Sequence, residues 1–245
     1  MSQAVHDMFH SIAERYDLAN QILSLGVHNS WRRNAIAMLK LPNNASIADI
    51  CTGTGDVAFE LNTYFKNSAT IYGFDFVRKM VKLAAVKQQQ KKQQTARAVH
   101  FSCADAMCLP VQAESFAAVT CAFGIRNVDD PLQCLREFHR VLKDSGQVLI
   151  LEFGKPQLPV FSQVYDLYGK HLMPRIGGML SGNRAAYEYL PQTAKAFPDG
   201  EKFVELMRQA GFHSIRVKSF MTGVAYAYCG QKSAHLDSKF EAGQS

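Results

Sequence analysis

Between positions 46 and 153 the chain alternates short apolar runs with longer stretches of mixed polarity. The runs are 46–51 (SIADIC), 69–74 (ATIYGF), 99–103 (VHFSC), 116–123 (FAAVTCAF) and 148–153 (VLILEF). Each is short, rich in β-branched or aromatic residues and bounded by turn formers, which predicts buried strands. The stretches between them, 56–66, 78–94 and 131–143, carry apolar residues at helical spacing. In the last, Leu132, Leu135, Phe138 and Leu142 recur at intervals of three and four. Pro131 suits its first turn and Gly146 closes its exit. Strands and helices alternating at this spacing predict an α/β fold, a doubly wound and mostly parallel sheet with helices on both faces.

Two regions stand outside the alternation. Positions 1–45 read as helices (6–16 and 30–41), and 156–198 is a long helical insertion rich in Tyr, Met and Gly. Additions of this kind around a sheet cover ligand crevices. A helix at 201–210 capped by Gly211 follows, then alternating segments 213–220 and 224–229 with a turn at 221–223, which predict a closing hairpin. The organisation expected is one domain over 1–245: an N-terminal helical cap (1–45), a core (46–155), the insertion (156–198), a closing helix and hairpin (199–232) and a frayed tail (233–245).

Composition narrows the class. With 245 residues, 47% of them hydrophobic, the chain can bury a full core, and charges or amides interrupt every apolar stretch before a membrane span is reached. The first sixteen residues lack the apolar block of a signal peptide. Six cysteines (Cys51, Cys103, Cys108, Cys121, Cys134, Cys229) show no CxxC pair and no histidine cluster at ligand spacing. They read as reduced core thiols in a cytoplasmic protein without a metal site. The net charge of +6 permits an anionic partner, and much of it falls in Arg78, Lys79, Lys82, Lys87, Lys91, Lys92 and Arg97. That stretch lacks the interleaved aromatics of a base-stacking groove and reads as a solvated face, so no nucleic-acid partner is expected.

The chemistry concentrates in Asp49-Ile-Cys-Thr-Gly-Thr-Gly-Asp56, between the first strand and the helix after it. Gly53 and Gly55 allow a sharp turn and close approach of a ligand to the backbone. Asp75 ends the next strand, where a carboxylate can accept both hydroxyls of a ribose. Gly53, Gly55 and Ala58 also satisfy the dinucleotide pattern G-x-G-x-x-A, so two cofactor classes compete. A carboxylate at Asp56 opposes a pyrophosphate at the helix N-terminus, whereas S-adenosyl-L-methionine has no phosphate and carries a positive sulfonium. Asp49 and Asp56 are therefore compatible with the methyl donor; Asp56 also reads as a helix cap. Asp105, at the third strand exit, falls within reach of the adenine amine, and Ala106 leaves room for the ring.

Beyond these positions, the chain from about 5 to 231 resembles the C-methyltransferases of menaquinone and ubiquinone biosynthesis. The likeness is carried by FHSIA (9–13) with Tyr16, Asp17 and Asn20, by Gly26-Val27-His28 with Trp31-Arg32, by GTGD (53–56) and by FGIRNV (123–128). It continues through LEF (151–153) with Lys155-Pro156, PRIG (174–177), and Tyr187 with Tyr189-Leu190. The glycine turn is common to many methyltransferases; FGIRNV, LEF-x-KP and PRIG are more particular. The chain departs from the pattern at Ala122, where the family often has a serine touching the donor, and at KDSG (143–146), which replaces a K-P-G-G turn.

The resemblance implies a seven-stranded class I, Rossmann-like sheet with its final strand antiparallel. It implies Thr54, Asp75, Asp105 and Ala106 as donor contacts, and C-methylation of a prenylated demethylquinol of the menaquinone or ubiquinone series. On the acceptor side, Arg126 is expected to stabilise a quinolate oxygen electrostatically or to position a water, being too basic to accept a proton, with Asn127 beside it. A structural ion pair is the competing reading for Arg126. His28 is a candidate base because its ordinary pKa lies near working pH, although a lone histidine is more often structural. Tyr16 and Asp17 read as part of a lid, His139 as surface or packing, and Tyr165, Tyr168, Tyr187 and Tyr189 as walls of a prenyl tunnel or plain core. Expected partners are the quinol, a transient membrane surface, and a homodimer or a quinone-biosynthesis complex, with peripheral membrane association in the cytoplasm. Three rivals remain: an NAD-dependent oxidoreductase, disfavoured by Asp56 and by the lack of a Tyr-x-x-x-Lys pair; a nucleic-acid methyltransferase, disfavoured by the lack of an N-P-P or D-P-P segment; and a quinone or lipid carrier without turnover.

Overall fold

The computed structural model describes residues 2–66, 68–91, 98–158, 163, 167–181 and 183–234. Among them, seven strands form one sheet in the order β3-β2-β1-β4-β5-β7-β6. These are β1 (Ser46–Ile50), β2 (Thr70–Asp75), β3 (His100–Cys103), β4 (Phe116–Ala122), β5 (Leu142–Phe153), β6 (Phe212–Phe220) and β7 (Ala225–Lys232). β1 pairs in parallel with β2 and β4, and β7 runs antiparallel to both β5 and β6, as the resemblance implies. The chain order reverses at β1, so the exits of β1 and β4 flank a crevice of the kind that holds ligands in doubly wound sheets.

Helices cover both faces because the central strands are buried on both sides. On one face lie α3 (Val27–Ile36) and α4 (Asp56–Tyr64), which bury Trp31, Ile36, Phe59 and Leu61. On the other lie α6 (Pro131–Val141) and the C-terminal helix Glu201–Gln209, which bury Phe138, Phe203 and Met207. α6 starts as predicted: Asp130 caps it, accepting from the N–H groups of Leu132 and Gln133, with Pro131 in the first turn.

A third, smaller core joins the N-terminal helices α1 (Gln3–Ile12) and α2 (Tyr16–Leu23) to α5 (Arg78–Lys91) and to the insertion, through Phe9, Ile12, Ala19, Met80, Ala186 and Tyr187. The insertion supplies a π-helical turn (Tyr168–Leu172) and helices α7 (Met173–Ser181) and α8 (Arg184–Ala196). The C-terminal helix is α9.

Several expectations are corrected. α2 has no counterpart among the predicted helices, and the second N-terminal helix begins at Val27 rather than 30. KDSG is no plain loop after α6: β5 already starts at Leu142, and 143–146 form an irregularity where its pairing jumps from Phe116↔Leu142 to Ala118↔Gln147. The cysteines are not all core thiols. Cys121, Cys134 and Cys229 are buried, Cys51 is half-buried, and Cys103 and Cys108 are exposed. The basic stretch is not simply a solvated face, because Lys79 pairs with Glu14 and Lys87 is drawn into the site described next. Lys92 and Arg97 lie outside the described residues, as does the tail from 235.

Candidate functional site

The donor side is built at the exits of β1, β2 and β3. After β1 the backbone turns through Gly53 (φ +56°) and Gly55 (φ +86°), conformations that disfavour any side chain. A Cβ at Gly53 would meet nothing within 4 Å, so the space before the turn is open to a ligand. Asp75 holds the turn from the neighbouring strand: Oδ2 accepts from the Gly53 N–H (2.8 Å) and Oδ1 from the Val77 N–H (2.8 Å). Burial pushes the Asp75 carboxyl up, and these two donations pull it back. Each oxygen keeps a further lone pair, the acceptor set that a vicinal diol needs.

Asp49 does not face the crevice as a free carboxylate. It is buried and accepts from Thr52 Oγ1 (2.6 Å) and Thr120 Oγ1 (2.7 Å), tying the turn to β4. Burial raises its pKa to about 6. Asp105 sits in a short bridge to Cys108, with Oδ1 accepting from the Met107 N–H (2.9 Å). Ala106 is packed in the main core beside Phe74. Ala122 ends β4 opposite Leu151.

Beyond Ala122 the strand leaves through Phe123, itself at φ +56°. Gly124 follows because Cys51 crosses there; a Cβ would lie 2.3 Å from the Cys51 Cβ. This crossing sets down Arg126 and Asn127 in a buried turn of 3-10 helix. Arg126 Nη1 donates to Glu152 Oε1 (2.5 Å) and to the Phe123 carbonyl (2.8 Å), with the guanidinium over the Phe153 ring. The two charged side chains are only 2% and 1% exposed. Burial raises the Glu152 carboxyl despite the attraction of Arg126. The ion-pair reading of Arg126 is therefore realised, and the pair carries little net charge to offer a ligand.

Two polar atoms beside it still lack partners: Arg126 Nε and Asn127 Oδ1 are both buried without a hydrogen bond. A donor and an acceptor orphaned on adjacent residues are costly unless something else satisfies them. Tyr16 of α2 and Tyr189 of α8 lie within electrostatic reach of Arg126, and Tyr16 also within reach of Asp75. Burial raises the pKa of both phenols. Tyr16 is thus within electrostatic range of both Asp75 on the donor side and Arg126 at the β4 exit.

Asp17 ties α2 to the glycine turn. It accepts from Thr54 Oγ1 (2.6 Å) and pairs with Lys87 Nζ (2.6 Å), which also pairs with Asp56 (2.6 Å). Arg32 Nη1 reaches Asp56 from α3 (3.1 Å). Burial opposes the Asp56 charge, but Lys87 and Arg32 outweigh it and hold the carboxyl below its ordinary value. With two cations neutralising it, Asp56 opposes a pyrophosphate less than its bare charge predicts. Nor is Asp56 the cap; Gly55 occupies that position.

His28 fails as a near-neutral base. Burial, then Arg32, lowers its pKa to about 4, and its Nδ1 contacts Ser24 Oγ. Of the four tyrosines, Tyr165 lies outside the described residues and Tyr187 is buried in the third core. Tyr168 spends its hydroxyl on the Leu23 carbonyl (2.6 Å), which leaves Tyr189, among the described ones, within electrostatic reach of Arg126. His139 packs on Phe212, as expected. An open groove of about 620 Å³ lies among Lys40, Gln147 and Arg216, at the other end of β5, but there Gln147 and Arg216 are spent on the carbonyls of Lys40 and Met38.

The sequence shows Glu152, Lys87 and Arg32 within its motifs and basic stretch but assigns none of them a place in the site. An acid inside the apolar run VLILEF was the available signal for Glu152, because a buried charge needs a partner. Lys87 was hidden in a run of like charges.

The same architecture recurs in a SAM-dependent methyltransferase from Thermotoga maritima, 18% identical, with a TM-score of 0.67, covering 94% of this chain and all of that one. At that identity the likeness speaks for the fold alone. Sequence relatives are nearer. A demethylmenaquinone methyltransferase of Deinococcus radiodurans is 44% identical over 230 residues, 94% of this chain and 93% of that protein. A ubiquinone/menaquinone biosynthesis C-methyltransferase of Citrifermentans bemidjiense is 40% identical over 94% of this chain and 97% of its own length. Since residues 1–232 match the profile of the ubiE/COQ5 methyltransferases, spanning the glycine turn, the β4 exit, the lid and the insertion alike, the chain belongs to that family.

Proposed function

We propose that the chain methylates a ring carbon of a prenylated demethylquinol, the acceptor being a naphthoquinol, a benzoquinol or both. The observation that carries this reading is the orphaned pair Arg126 Nε and Asn127 Oδ1 at the β4 exit, beside an open glycine turn. The names borne by the relatives, demethylmenaquinone and ubiquinone/menaquinone methyltransferases, supply the substrate class.

When bound, S-adenosyl-L-methionine supplies an electrophilic methyl group. Toward it, the open space at Gly53 admits the donor against the backbone, Asp75 takes the ribose hydroxyls and Asp105 the adenine amine, while Ala106 keeps that wall small. Asp49 acts indirectly, fixing the turn through Thr52. Ala122 offers no hydrogen bond to the donor. On the acceptor side, the Arg126 Nε–H donates to the quinol oxygen as it gains negative charge. Asn127 Oδ1 accepts from the same hydroxyl or from a water that carries its proton away. Glu152 keeps the guanidinium plane fixed. Tyr16 and Tyr189 close the cleft and exclude water, which favours a step in which charge is lost.

Incubating purified protein with radiolabelled donor and each tail-bearing demethylquinol tests the reading. Label is expected in at least one quinol and lost in Asn127→Ala with donor binding intact. Donor binding without label in either quinol favours a carrier. Uptake of NAD but not of the methyl donor, read by calorimetry, defeats the assignment altogether.

A further inference from the structure

α2 and α7 both leave large apolar side chains exposed. α2 buries Ala19 and turns Leu18 and Ile22 outward, and Leu25, just past its end, is 87% exposed. α7 packs Gly177 onto the Tyr187 ring and turns Met179 outward at 85% exposure, with Leu172 seven residues before it on the same face. Ala19 of α2 lies in the small third core, and α7 packs against α2 and, through Gly177, on Tyr187 of that core, which leaves the exposed side chains of both helices on the side away from it. Six of the twelve large apolar side chains left exposed among the described residues fall here: Leu18, Ile22, Leu25, Leu167, Leu172 and Met179. Single exposed apolar residues need no explanation, but a concentration on one element pair marks an interaction surface.

Charge selects the partner. Lys170 and Arg175 are exposed within this segment, and no described residue of 167–181 is acidic; Asp166, just before it in the sequence, lies outside the described residues. The only carboxylate on α2 is Asp17, which points inward to Thr54 and Lys87. A second copy of the chain seated here by a two-fold axis would bring a second set of these cations to the same face. A bilayer with anionic headgroups accepts the apolar side chains and the cations at once.

We propose that the outer faces of α2, the π-helical turn and α7 form a docking surface for an anionic lipid bilayer. This rests on the quinol reading in one respect: the lid whose inner side carries Tyr16 touches, on its outer side, the phase in which a prenylated quinol dissolves. The acceptor is then delivered from the membrane directly beneath the lid, without crossing water.

Co-sedimentation of the full chain with vesicles of phosphatidylglycerol and phosphatidylethanolamine, against phosphatidylcholine alone, tests the proposal. The wild-type chain is expected to pellet with the anionic vesicles. The Leu25→Glu/Met179→Glu variant is expected to lose about tenfold in partitioning, and Lys170→Glu/Arg175→Glu to lose its preference for anionic lipid. Lys82→Glu, on α5, is expected to pellet as wild type. Turnover of a water-soluble, tail-less demethylquinol stays unchanged in all of them, which separates docking from catalysis. Failure of the wild type to pellet, equal pelleting of the variants, or a wild-type dimer that dissociates in Leu25→Glu/Met179→Glu would overturn the proposal. Pelleting without turnover of any quinol sinks the quinol reading and leaves the docking surface standing.

Discussion

The two sides of the crevice are finished to different degrees. At the glycine turn, Asp49 and Asp75 use their oxygens to fix Thr52, Thr120, Gly53 and Val77, so the turn is ordered by its own hydrogen bonds, with Arg32 Nε, behind Asp56, the single buried orphan among the described residues on that side. At the β4 exit the Arg126–Glu152 pair is complete, yet an N–H and a carbonyl oxygen stay buried without partners. Binding an adenosyl group is a task shared by many proteins, and a preorganised scaffold suffices for it. Recognition of one acceptor is paid in stability, by holding polar groups ready for a ligand.

The largest effect expected from disturbing this contrast is at Glu152. Glu152→Gln leaves Arg126 buried and unpaired, and thermal denaturation should show a loss of about 3–5 kcal/mol. Replacing both partners by methionine is expected to restore most of that stability while turnover stays absent. Recovery of turnover as well would show that the pair serves packing only.

On the donor side, Asp49 couples stability to pH. The native carboxyl holds its proton up to about pH 6, whereas the unfolded chain releases it near 3.8, so the folded state binds more protons between those values. Stability from this group falls as pH rises from about 4 to 6 and is then level. In Asp49→Asn that slope should vanish, so the variant gains on the wild type across the window by up to ~3 kcal/mol in urea titrations. An unchanged slope would mean that Asp49 ionises normally in its buried site.

Asp75→Asn should weaken donor binding by ~100-fold in calorimetry, since charge-assisted bonds to a diol are lost. The smallest effect is expected at the joint between the halves. Asp17→Asn should raise the acceptor KM by ~10-fold through a loosened lid, with donor affinity no worse. Equal damage to both substrates would erase the distinction between the two sides.

The strands and the three acidic strand exits were legible because they are local: a buried strand writes itself as a run of apolar residues, and a turn as glycines beside an acid. The long-range pairings were not. Arg126 meets Glu152 across 26 positions, and Asp56 draws its neutralising cations from α3 and α5, so reading Asp56 as a bare charge misjudged it. α2 escaped notice for a different reason. Leu18 and Ile22 point outward, so its apolar spacing does not describe a face turned to the core. His28 has an ordinary histidine's chemistry in the sequence and loses it to burial next to Arg32.

The Thr54 hydroxyl has a single proton, and in this structure it is given to Asp17. Any ligand in the crevice that recruits that proton takes it from one of the contacts holding α2 in place, the Lys87–Asp17 pair being another. Floor and roof thus compete for one hydrogen atom, and the two substrates of a transfer reaction need not arrive independently.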